Sequence, residues 1–144
     1  VSNISGEQME HAPFAVTLRE ATNSRSVDRV VDCFADDYVN QTPAHPGRGF
    51  TGKDQVRRNW AQIFAGVPDH TATLIASAQD GDTVWTEWEM RGTRADGAEH
   101  RMCGAIVFTV HDGLASAARF YLEPVDDPGS KGVDADTAVR RILS

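Results

Sequence analysis

From Asp69 onward the chain alternates apolar and polar residues with a period of two, and the alternation is interrupted at Asp80-Gly81-Asp82, Asp96-Gly97 and Asp112-Gly113. Asp-Gly between strand-like runs supplies the positive φ that a tight hairpin turn requires. Residues 70–79, 83–94, 99–111 and 114–124 are therefore predicted to form four consecutive antiparallel strands. These runs are about twice the usual strand length of roughly 5–6 residues, so pronounced twist and curvature are expected. A curved sheet has a concave face that something apolar must cover.

The first half of the chain supplies that cover. Pro13 suits a first helical turn, where its missing N–H is not needed, and Phe14, Leu18 and Ala21 follow at helical spacing, predicting a helix over 13–22. Ser26 is placed to cap a second helix on which Val27, Val30, Val31 and Phe34 form one stripe. Residues 37–41 alternate as a short strand with Tyr38 and Asn40 on one face, and Pro43, Pro46, Gly47 and Gly49 then force a loop that can rim a pocket. Thr51 and Asp54 resemble a capping box for a third helix carrying Val56, Trp60, Ile63, Phe64 and Val67, which Pro68 ends. The expected fold is α+β: a cone-shaped, strongly curved antiparallel sheet with three helices packed in its concave face. Residues 1–12 read as a flexible leader, 13–125 as the domain, and 126–144 as a tail with a short helix bearing Val139, Ile142 and Leu143.

A chain of 144 residues is large enough for one self-sufficient core. Its net charge of -7, with no Lys/Arg cluster, repels a phosphate backbone, so no nucleic acid partner is expected. The longest nearly apolar run, 105–110, is too short to span a bilayer, and the start lacks the order of a signal peptide. No membrane association and a cytoplasmic location are the expectation. Cys33 and Cys103 fit no metal spacing and read as small hydrophobes. The five histidines, His11, His45, His70, His100 and His111, are scattered, so neither a metal nor a cofactor is expected.

The order helix, helix, short strand, Pro/Gly loop, helix, long meander resembles the nuclear-transport-factor-2-like (NTF2-like) superfamily, particularly its SnoaL-like polyketide cyclase branch, over about residues 14–125. The closing run carries the resemblance most specifically: His111-Asp112-Gly113-Leu114 followed by Arg119, Tyr121 and Glu123. The resemblance implies a cystatin-like α+β barrel, usually a homodimer through the outer sheet face, with a cavity for a hydrophobic small molecule. It also implies that Glu123, matching the last-strand acid of the cyclases, is the general acid/base. Tyr38-Val39-Asn40 looks similar to the water-holding Tyr and Asn of limonene-epoxide hydrolases. Trp88 and Met90 stand where those hydrolases carry an Arg and an Asp, which argues against epoxide hydrolysis.

Read from the residues alone, Glu123 lies among Phe120, Tyr121 and Leu122, where desolvation would raise a carboxyl pKa toward neutrality. The alternative is a strand-end carboxylate that pairs with Arg119 or faces solvent. Tyr38 and Asn40 are placed to hydrogen-bond a carbonyl or enolate oxygen, or else to satisfy backbone groups of the loop. Trp60, Phe64, Trp88, Met90 and Tyr121 are candidate walls for a flat ligand, and ordinary packing would use the same residues. On the second meander strand, placing Trp88 and Met90 inside puts Glu87 and Glu89 outside; the reverse parity would bury the two carboxylates. Together these features suggest a cofactor-independent isomerase, cyclase or dehydratase moving protons on a hydrophobic carbonyl compound. The other reading is a non-catalytic ligand-binding or dimerisation module of the same fold.

Overall fold

The computed structural model describes residues 10–127, 129–130 and 132–144. The chain runs α1 (Pro13–Asn23), α2 (Val27–Val31), β1 (Phe34–Gln41), a single 3-10 turn (Pro46–Arg48), β2 (Phe50–Thr51), α3 (Lys53–Gly66), β3 (Thr71–Asp80), β4 (Thr83–Thr93), β5 (Glu99–His111), β6 (Leu114–Pro124) and α4 (Ala135–Leu143). The three predicted hairpins are present, with Gly81, Gly97 and Gly113 at positive φ in the turns. One six-stranded sheet results, in the order β2-β1-β6-β5-β4-β3. It curls without closing, because β2 and β3 remain its two edges. β1 pairs with β6 in parallel, a long-range pairing that no local pattern announces.

Helix α1 buries Phe14, Ala15, Leu18 and Ala21 against the sheet, and Phe14 meets Phe108 edge-on at 5.0 Å. Helix α2 is capped as expected, with the Ser26 hydroxyl accepting from the Arg29 N–H at 3.3 Å. It stops after five residues, and Phe34 opens β1 instead of extending the helical stripe. The expected Thr51–Asp54 capping box is also absent: Thr51 pairs with Val39 in the sheet, and Gly52, at φ 96°, stands at the cap without a side-chain bond. The leader is not free to its end. His11 Nδ1 and the Ala12 N–H both bond the Ser77 hydroxyl, at 3.0 and 2.9 Å, and residues 1–9 lie outside the described residues.

The tail helix α4 forms where predicted, its Asp134 cap accepting from the Thr137 N–H, and Ile142 and Leu143 are almost fully exposed. No helix among the described residues is long and apolar enough to cross a membrane.

Candidate functional site

The concave face and the helices enclose a cavity of about 350 Å³ with walls made mostly of apolar side chains. That size lies at the small end of the ~300–1,000 Å³ usual for ligand pockets. Strand alternation decides what lines it. On β4, Trp88 and Met90 face inward and Glu87 and Glu89 outward; on β5, His100, Met102, Ile106 and Phe108 face inward. Phe120 and Leu122 do so on β6. From β1 come Tyr38 and Asn40, and from α3 Trp60 and Ile63.

The same alternation corrects the expectation for Glu123. With Phe120 and Leu122 inside, Tyr121 and Glu123 must turn to the other face, and neither lines the cavity. The Glu123 side chain is 45% exposed and pairs with His45 Nε2 at 3.5 Å and Arg48 Nη1 at 3.6 Å, not with Arg119. Tyr121, half exposed, is likewise no cavity wall. Phe64 packs behind Trp60 and His70, at 5.4 and 6.0 Å, rather than lining the space. Trp60, Trp88, Met90, Tyr38 and Asn40 do line it.

Three polar devices stand out in this wall. First, the Tyr38 hydroxyl donates to Asn40 Oδ1 at 2.7 Å, so the two side chains act as a pair and leave the Asn40 amide hydrogens for another partner. Burial between Phe34 and Phe50 pushes the Tyr38 hydroxyl well above its ordinary pKa, keeping it a neutral donor. Second, Trp88 Nε1 donates to the Thr86 hydroxyl at 2.7 Å, which itself donates to the Ile106 carbonyl at 2.7 Å. This relay fixes the indole against the cavity. Replacing Thr86 by Val should leave that buried N–H without an acceptor and cost about 1–3 kcal/mol, read as a lower urea midpoint.

The third device is one that the sequence places at a strand start near the pocket mouth without assigning it a role. His70, just before β3, is 1% exposed and lines the cavity beneath the rings of Trp60, Phe64 and His100. Its backbone is held at both ends, the N–H by the Val67 carbonyl and the carbonyl by Arg25 Nε at 3.1 Å. Nδ1 is buried with no hydrogen-bond partner among the described residues. Burial first, then the neighbouring His100 and Arg25, lowers its pKa to about 4. The imidazole is therefore neutral at pH 7. A buried polar atom without a protein partner is rare in folded proteins and calls for an explanation. The available signal, a His opening a strand near the pocket mouth, singles out His70 together with His45 but fits a solvated or structural imidazole as well. Among the described residues no group of three or more His, Cys, Asp or Glu is placed to hold a metal ion.

A family model described as a SnoaL-like domain matches residues 15–118. Among solved structures, IdmH, a proposed polyketide cyclase from Streptomyces antibioticus, is 25% identical, with 76% of this chain and 88% of that chain covered and a TM-score of 0.65. A protein with a ketosteroid isomerase-like fold from Catenulispora acidiphila, solved with trimethylamine, is 17% identical, with 84% and 90% covered and a TM-score of 0.65. An LEH-like epoxide hydrolase of M. tuberculosis is 18% identical, with 76% and 80% covered, also at 0.65. The last two likenesses concern the fold alone, which is the cystatin-like α+β architecture expected from the sequence. No curated protein matches the chain.

Proposed function

Because the chain belongs to the SnoaL-like domain family of the NTF2-like superfamily, we propose that its cavity takes up a hydrophobic carbonyl compound and moves a proton on it without a cofactor. The observation that carries this reading is the neutral, unpartnered imidazole of His70 in the same apolar cavity as the Tyr38–Asn40 pair. The role expected of Glu123 passes to His70. The imidazole takes a proton from the carbon next to the carbonyl, and the electron pair moves onto the carbonyl oxygen. Donors of the Tyr38–Asn40 pair stabilise the charge developing there, and returning the proton at another position completes an isomerisation or prepares a dehydration or ring closure. A conjugate-acid pKa of about 4 suits this step: the general base of ketosteroid isomerase works with one of about 4.6. The reading includes a cytoplasmic homodimer. Two free cysteines suit a reducing compartment, and Trp85 and Tyr121, each about half exposed on the outer sheet face, suit a partner there.

One observation favours a second reading: no carboxylate among the described residues lines the cavity, as suits a carrier rather than an enzyme. The replacement His70→Gln separates the two. Turnover of a cognate enolisable substrate should fall by roughly 10²–10⁴-fold, while its affinity changes little. Unchanged turnover overturns the assignment to His70, and tight binding without turnover by the unaltered protein establishes the carrier.

A further inference from the structure

The chain carries a net charge of -7, yet among the described residues the one formally charged side chain lining its cavity is a cation, Arg48. The other titratable groups in the wall are His70, His100 and Tyr38. Both histidines have lowered pKa values, chiefly from desolvation, with Arg25 acting on His70 and Arg94 on His100. The interior therefore disfavours protonation of its own histidines, and no carboxylate among the described residues lines it.

Arg48 closes the 3-10 turn between β1 and β2, a turn braced by bonds from the His45 N–H to the Thr42 carbonyl and from the Arg48 N–H to the His45 carbonyl. Glu123 holds the guanidinium from β6 at 3.6 Å, with both side chains about half exposed. A long, solvated pair of this kind contributes little, and a carboxylate arriving from the drier cavity side would compete well for the guanidinium fork. From this we propose that Arg48 is the anchor for an organic carboxylate: the cavity takes a flat hydrophobic acid whose ring system lies among Trp60, Trp88 and Phe108 and whose anionic group pairs with Arg48 at the mouth. Glu123 is then a positioning residue, holding Arg48 until the ligand replaces it. The inference rests on the pocket reading above and adds the charge and class of the ligand.

The experiment is calorimetric titration of the full chain with 2-naphthoate and with 2-naphthamide, which share a ring system and differ in charge. The unaltered protein should prefer the acid by at least about tenfold, and Arg48→Gln should remove that preference while leaving naphthamide affinity as it was. Arg48→Lys should retain part of the preference, and Glu123→Gln should strengthen binding of naphthoate but not of naphthamide. Equal affinity of the two probes for the unaltered protein, or a preference that survives Arg48→Gln, overturns the anchor and leaves the pocket reading standing. Failure of both probes to bind counts against the pocket reading and removes the anchor with it.

Discussion

Replacing Gly104 by Ala should cost roughly 3 kcal/mol or more of folding stability, the largest loss expected from adding a methyl group at any glycine among the described residues. Gly104 lies in the middle of β5, opposite Trp88 on one side and Leu122 on the other, with φ at 147°. A Cβ built there would stand 2.1 Å from the Tyr121 carbonyl oxygen and 2.8 Å from the Leu122 Cα. Both are backbone atoms of β6, so no rotamer change relieves the clash. Either β5 and β6 separate at the centre of the sheet, or residue 104 leaves a conformation that L-residues avoid. Denaturant unfolding should show the loss as a lower midpoint, whereas Gly47→Ala, whose Cβ would meet nothing within 4 Å, should change it little. A loss below about 1 kcal/mol for Gly104→Ala would mean that β5 adapts to a side chain at this point.

Why the meander was readable and the site only partly so follows from the range of the interactions involved. Hairpins are local: Asp112-Gly113 sets the β5–β6 turn by the φ values that its two residues accept, 53° and 78°. Parity is local too: it grouped Trp88 with Met90 opposite Glu87 and Glu89 but left open which pair faces inward, and the structure turns Trp88 and Met90 to the cavity. Applied equally strictly to β6, it would have turned Glu123 outward, since Phe120 and Leu122 take the inner positions. The family resemblance outweighed the alternation there. Phe34 fitted a helical stripe, but its parallel pairing with Ala115 on β6, 81 residues away, placed it in a strand. The roles of His70 and Arg48 were out of reach for the same reason. Nothing within a few residues of His70 reports that Trp60 and Phe64 of α3 close over it, nor that Arg25 lies at its carbonyl. Arg48 gains its place from a turn whose partner lies on the last strand.

Acid should destabilise the protein in a window set by His70. In the unfolded chain its pKa is the ordinary 6.5, and in the fold it is lowered to about 4, so between these values the unfolded state binds the proton that the folded state refuses. The contribution is fully present above pH 6.5, declines as pH falls, and is gone near pH 4. It amounts to at most ~3 kcal/mol, since each pKa unit corresponds to about 1.36 kcal/mol. His100, also lowered, adds to the slope with the same sign. Asp69, Glu89 and Asp134, whose pKa values are lowered, act mainly below this window, because their unfolded counterparts take up protons only near pH 4. Urea titrations at pH 7, 6, 5 and 4.5 should therefore show a falling unfolding free energy for the unaltered protein and a much flatter line for His70→Gln. Parallel lines would mean that the buried ring is not refusing its proton. For His70 as the base proposed above, the same lowered pKa would place the acid limb of kcat/KM near pH 4, where an exposed histidine base would place it near 6.5. An enzyme that holds its rate down to pH 5 while losing stability over that interval would show both consequences of one desolvated imidazole.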